Sequence, residues 1–178
     1  MGAGPLTTAC RVKIRKKSKL VVHPDDCEVT TEHDRFDIGL IHEFLRASYW
    51  ARNIPRTVVE ESIRNSFCFG AFRGGRQVGF ARVITDFATF GYIADVFVVP
   101  EHRGRGISKR LMRAILGHER LRGLRRLLLA TKDAQALYAQ FHFLPLAHPE
   151  HFMTIHNPGI YEKRDGASGT NRRRRTAP

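Results

Sequence analysis

"VFVVPEHRGRGISKRLM" (Val96–Met112) decides how the chain is read. An apolar, β-branched run ends at a proline. Arg-Gly-Arg-Gly follows, and then residues with helical spacing. Two glycines and the charges of Arg103, Arg105 and Lys109 sit where a strand turns into a helix. Glycines let a backbone approach a ligand closely. The first N–H groups of a helix lack internal partners, and the helix dipole favours negative charge there. The stretch therefore points to a bound polyanion.

Two phosphate motifs fail here. No GxxxxGK[ST] loop exists in the chain, and a dinucleotide fingerprint beginning at Gly104 would need glycine where Lys109 stands. The stretch also lies mid-chain, after a meander, and does not open a first βαβ unit.

Outward from the turn, the periodicity changes several times. "FCFGAFR" (67–73), "GG" and "RQVGFARVITD" (76–86) alternate as a β-hairpin, and "FGYIADVFVV" (90–99) continues the series. After the turn, Ile107, Leu111, Ala114 and Ile115 share one helical face. "RRLLLAT" (125–131) reads as a short buried strand, and "DAQALYAQF" (133–141) as a helix capped by Asp133. "HFLPLA" and "HFMTIH" read as two last strands. Upstream, "CEVTT" (27–31) is a first strand. "DIGLIHEFLRASYWA" (37–51) is a helix capped by Asp37, and Pro55 opens a second helix. The order is β-α-α-β-β-β-α-β-α-β-β. It predicts an α/β fold with a mixed, mostly antiparallel central sheet and flanking helices.

Residues 1–26 and 162–178 read as basic, disordered extensions around one domain at 27–161. The net charge of +13 over 178 residues divides into +2 for 1–33, +7 for 34–161 and +4 for 162–178. No stacking or base-reading motif accompanies it, so nucleic-acid association through the tails is only an alternative reading. No apolar run reaches membrane-spanning length, and "RVKIRKKSKLVVH" lacks the apolar core of a secretory leader. Cys10, Cys27 and Cys68 are odd in number and widely spaced, which fits a reducing compartment. The expected location is cytoplasmic. His142, His148, His151 and His156 match no ligand spacing, so no metal is expected.

Arg103-Gly104-Arg105-Gly106-Ile107-Ser108, after "VFVVPEH", resembles the pyrophosphate-binding motif of the GNAT superfamily of acyl-CoA-dependent N-acetyltransferases. That pattern is Arg or Gln, two residues, Gly, one residue, then Gly or Ala. Arg103 and Gly106 match; Ser108 departs but is small. "LATKDAQALYAQFHF" resembles the family's A…LY…GF segment, with His142 in place of glycine. The element order over 27–156 is also that of the family.

The resemblance implies acetyl transfer from acetyl-CoA to a primary amine by direct attack in a ternary complex. It places the acetyl-CoA site at Phe97, Val98, Val99, residues Arg103 to Ser108 and Leu137, with the Val98 N–H as the oxyanion donor. It makes Tyr138 the general acid for the departing thiolate. A tyrosine (reference pKa about 10) suits protonation of a thiolate whose thiol has a reference of about 8.5.

Asp95, a charge inside an apolar strand, is read as a base, an ammonium anchor, or a residue hydrogen-bonded at a strand edge. Tyr49, Trp50 and Asp86 are candidates for the acceptor pocket; the alternatives are that Tyr49 and Trp50 pack their helix on the sheet and that Asp86, just after a strand, serves a turn. A homodimer is a further expectation, since dimers are frequent in the family. A non-catalytic acyl-CoA-binding domain of the same fold is the other alternative.

Overall fold

The structure, a computed structural model, describes residues 27–162. Of the expected extensions, 1–26 and 163–178 lie outside the described residues. Among the described residues, nine strands and α-helices build the fold: β1 (Cys27–Thr30), α1 (Ile38–Ala47), α2 (Arg56–Arg64), β2 (Phe67–Arg73), β3 (Arg76–Thr85), β4 (Phe90–Val98), α3 (Ile107–Gly117), β5 (Arg126–Leu129) and α4 (Gln135–Ala139). The strands form one sheet in the order β1-β2-β3-β4-β5. Every pair is antiparallel except β4 with β5, which the α3 crossover makes parallel.

Local chemistry explains the boundaries. Asp37 Oδ1 accepts from the Leu40 N–H at 3.0 Å and caps α1. Pro55, with φ −66°, immediately precedes α2. The β2–β3 turn is Gly74-Gly75, with φ +56° and +78°, the mirror-image turn that matches strand twist.

Two apolar layers cover the sheet. α3 buries Ile107, Leu111, Met112 and Ile115 against Phe69, Ala71, Val83 and Ile93 on one face. α1 and α2 bury Ile41, Leu45, Val59 and Ile63 against Cys68, Phe72, Phe80 and Phe97 on the other. Leu111 and Ile115 are fully buried, each contributing roughly 1.5–3 kcal/mol.

Ile93 and Phe97 are four residues apart on one strand yet face opposite layers. Strict alternation would put them together. The cause is a β-bulge: Arg82 pairs with Ala94 and Phe80 with Phe97, so Ala81 opposes both Asp95 and Val96. Asp95 takes the left-handed backbone, φ +53°. The β4–β5 pairing ends just before it, at Ile93 and Leu129. From Ala94 to Val98, β4 therefore has no described strand beside it on that side.

Two expectations need correction. "HFLPLA" and "HFMTIH" are not strands; the described chain after α4 is irregular, with one short 3₁₀ turn at Pro149–His151. These segments have strand-forming composition but pair with no described strand, and Pro145 lacks a ladder donor. Nor does Asp133 cap α4. The residue before the helix is Ala134, whose N–H donates to Thr131 Oγ1 at 3.1 Å. His142 does adopt the left-handed conformation after α4, φ +66°.

Candidate active site

The gap beside β4 opens into a cleft of about 760 Å³. Its floor is Val96, Phe97 and Val98. The glycine-rich turn closes one end with Arg103, Gly104, Gly106, Ile107 and Ser108. Leu137 and Tyr138 of α4 and the end of α1 form the walls. Of the residues expected here, Val99 and Arg105 do not line the cleft. The Val99 N–H donates to Val78 O at 3.0 Å, toward β3. Arg105 lies on the exposed turn.

Val99 sets the direction of Val98. N–H and C=O groups alternate sides along a strand. Since Val99 points to β3, Val98 points its N–H and C=O to the side that β5 has left. The Val98 carbonyl confirms this by accepting from Arg103 Nε at 3.0 Å. Arg103 is thus a tie between the turn and β4, as well as a charge.

The turn forms an anion cradle. Gly104 and Gly106 have φ +72° and +73°, and a Cβ at either would meet nothing within 4 Å. Gly106 precedes α3 without a side-chain cap. The first α3 hydrogen bond runs from Arg110 N to Gly106 O, so the N–H groups of Ile107, Ser108 and Lys109 lack a partner within the helix. His102 Nδ1, nearby in the cleft lining, is buried with no hydrogen-bond partner among the described residues. Backbone donors, open space and positive charge fit the pyrophosphate end of a CoA thioester.

Tyr138 is buried, 8% exposed, and its hydroxyl has no hydrogen bond to a described residue. Burial, then the neighbouring Tyr49 and Asp133, push its pKa above the usual tyrosine value. The phenol therefore keeps its proton at neutral pH.

A second cleft of about 530 Å³ lies beyond, lined by Arg82, Tyr92, Asp95, Lys132 and Asp133. It shares Tyr49, Trp50, Val96, Asp133, Ala134 and Tyr138 with the first. Tyr49 and Trp50 stand half-exposed between the two, edge to face with centroids 4.9 Å apart. Lys132 N donates to the Tyr49 hydroxyl at 3.2 Å, bridging α1 to the segment after β5. Trp50 Nε1 donates to Asp95 Oδ1 at 3.2 Å. Asp95 Oδ2 accepts from Arg82 Nε at 2.7 Å, and Arg82 also donates to Ser66 Oγ at 3.2 Å. Tyr49, Trp50, Asp95 and Tyr138 are therefore brought together.

Asp86 is not. It sits at the far β3–β4 turn, where its carboxylate accepts from the N–H groups of Ala88, Thr89 and Phe90 and from Thr89 Oγ1. Those bonds, the Thr89 hydroxyl first, hold its pKa well below the usual carboxylate range. Cys68 is a buried strand residue, and burial pushes its thiol up to about 12. His148 and Glu150 bond each other at 3.0 Å on the exposed 3₁₀ turn.

Arg82, His102 and Lys132 escaped the sequence reading. Arg82 carried a signal, a lone charge inside "GFARVIT", of opposite sign to Asp95 in the neighbouring strand.

No helix among the described residues is long and apolar enough to cross a membrane. A candidate acetyltransferase of the fungus Gibberella zeae is 30% identical over 138 residues, covering 65% of this chain and 77% of the relative. The crystal structure of a candidate GNAT acetyltransferase from Xanthomonas campestris pv. campestris superposes with a TM-score of 0.76 at 51% identity, over 78% of this chain and 98% of that one. A Clostridium acetobutylicum candidate acetyltransferase, solved with acetyl-CoA, shares the fold at 13% identity and a TM-score of 0.53, over 74% and 95% of the two chains. Residues 37–143 match the model of the Acetyltransferase (GNAT) family, and with the cleft and turn described above they show that the chain belongs to it.

Proposed function

We propose that the protein transfers the acetyl group of acetyl-CoA to a primary amine, by direct attack in a ternary complex in the cytoplasm. One observation carries this reading. The outward Val98 N–H, the glycine turn and the Tyr138 hydroxyl all open into one cleft.

In this reading the turn from Arg103 to Ser108 holds the pyrophosphate, with Arg105 and Lys109 adding charge at its exterior. Phe97 and Leu137 line the apolar part of the cleft. The Val98 N–H donates to the oxygen that gains charge as the thioester carbonyl is attacked. Tyr138 gives its proton to the departing thiolate.

The amine enters through the second cleft, past Tyr49 and Trp50. An alkyl ammonium must lose a proton before it attacks. Both oxygens of Asp95 are engaged, by Trp50 and Arg82. Asp95 therefore anchors the wall and places negative charge near the ammonium, and water in the open cleft takes the proton.

Calorimetric titration of acetyl-CoA tests the first half, and thiol release over an amine library tests the second. Binding lost in Arg103→Glu/Gly106→Glu, with turnover on at least one amine, supports the proposal. Binding without turnover on any amine favours a non-catalytic acyl-CoA sensor. No binding overturns both.

A further inference from the structure

The second cleft carries a charge pattern that a plain alkyl amine would leave half unused. Arg82 and Lys132 are the cations of its lining, and neither lines the first cleft. Asp133 lines both clefts, as Tyr138 does. It is close enough to Tyr138 to add, after burial and Tyr49, to the rise of the phenol pKa. Negative charge therefore stands at the junction, where the chemistry is, and positive charge stands beyond it.

These groups are open to a ligand. Arg82 gives Nε to Asp95 and Nη1 to Ser66, and its Nη2 bonds no described residue. The Lys132 ammonium meets the Tyr49 ring at 5.8 Å and pairs with no described carboxylate. Both oxygens of Asp95 are engaged. The Asp133 carboxylate makes no hydrogen bond or ion pair with a described residue, so of the two acids in this lining it is the one left for an ammonium.

Resting on the acetyltransferase reading, we infer that the acceptor is a small amino acid: a primary amine that also carries a carboxylate. Asp133 draws the ammonium to the junction beside Tyr138. Lys132 supplies net positive charge for the carboxylate, and Arg82 Nη2 supplies a directed N–H. Tyr49, Trp50 and Tyr92 offer ring faces to the rest of the molecule. A cleft of about 530 Å³ suits a small ligand. A polyamine meets two cations there, in a chain of net charge +13, and is disfavoured.

In the reaction the ammonium gives one proton to water, and the free amine attacks the thioester carbon. The C–N bond forms and the C–S bond breaks. The thiolate takes the Tyr138 proton, and the second proton leaving the nitrogen restores Tyr138. The products are the N-acetyl amino acid, its carboxylate unchanged, and CoA.

Thiol release by the full chain tests this. Phenylalanine is compared with phenethylamine, tryptophan with tryptamine, and γ-aminobutyrate with propylamine, each rate corrected for the fraction of free amine. In at least one pair the acid is expected to lead in kcat/KM by about tenfold or more. Lys132 is exposed, so its variants fold. Lys132→Met should reduce that preference about fivefold, the size of a solvent-exposed ion pair, through KM and not kcat. Lys132→Glu should reduce it further. Amines without a carboxylate that match every acid, or a preference that Lys132→Glu leaves unchanged, overturn the inference while the acetyltransferase reading stands. No turnover in any pair also overturns it. If a wider amine library stays silent as well, the acetyltransferase reading falls with it.

Discussion

Arg82 Nε lies 2.7 Å from Asp95 Oδ2, and both side chains are largely withdrawn from water, 16% and 10% exposed. Asp95 is also the bulge residue that turns β4 out of pairing. One ion pair thus holds the strand distortion on which the cleft depends. Removing one partner of such a buried pair leaves an uncompensated charge, at a cost of about 3–5 kcal/mol. Arg82→Met is expected to lose that much in urea unfolding. Asp95→Asn keeps an acceptor for Trp50 and a residue tolerant of positive φ, but it leaves the Arg82 charge unpaired, so it is expected to lose a comparable amount. A loss below about 1 kcal/mol in either variant would show that the pair does not secure the bulge.

Tyr138→Phe removes one hydroxyl from an otherwise buried ring. A general acid contributes typically 10²–10⁴-fold. The variant is expected to lose that range in kcat while acetyl-CoA affinity stays within about threefold, less than one lost neutral hydrogen bond. Titration and single-turnover kinetics separate the two. A variant with full kcat would remove Tyr138 from the chemistry.

The same burial makes a pH prediction. The folded-state pKa of Tyr138 is raised above the unfolded value. Its contribution to stability is therefore complete below about pH 10 and lost as pH rises through the folded value. If Tyr138 is the general acid proposed above, turnover needs its protonated phenol, and loss of that proton should set an alkaline limb of kcat above about pH 10. That limb should vanish in Tyr138→Phe.

Gly106→Ala tests the cradle. At φ +73° with open space around it, an added methyl meets no atom but forces a backbone that costs about 1–2 kcal/mol. It also stands where an anion would approach. Gly75→Ala, at φ +78° in the hairpin turn and equally open, carries the same conformational cost. Both variants should lose similar stability, yet only Gly106→Ala should weaken acetyl-CoA binding, by more than about tenfold (1.4 kcal/mol). Equal affinities would mean that the turn is only a turn.

Local rules carried the reading wherever the cause was local. The Asp37 cap, the Gly74-Gly75 hairpin and the Gly106 start of α3 each depend on residues within a few positions. The bulge was different. A positive φ at Asp95 follows from Arg82, Trp50 and the end of β5, none of them nearby in sequence. The sequence displays an odd charge in a strand but not the partners that hold it. "HFMTIH" failed for a related reason. Composition reports what a segment prefers, and pairing needs a partner edge that composition does not contain. Asp86 follows a strand, a place that suits turn chemistry as well as a site, and in the fold that place is the far end of the hairpin.

Asp86 gives the last prediction. Its carboxylate binds three backbone N–H groups and the Thr89 hydroxyl, all within its own turn. Its folded pKa lies below the unfolded one. The stabilisation is thus present above about pH 4, the unfolded value, and disappears as pH falls through the folded one. Asp86→Ala should have a lower Tm than wild type at pH 7, and the gap should narrow steadily below about pH 4. The turn lies outside both clefts, so kcat and the amine KM should not move at a temperature where both proteins are folded. Melting curves from pH 7 to 2 with steady-state kinetics at pH 7 decide it. A gap independent of pH would mean that the carboxylate charge is irrelevant to the turn. A raised KM with an unchanged Tm would return Asp86 to the acceptor pocket.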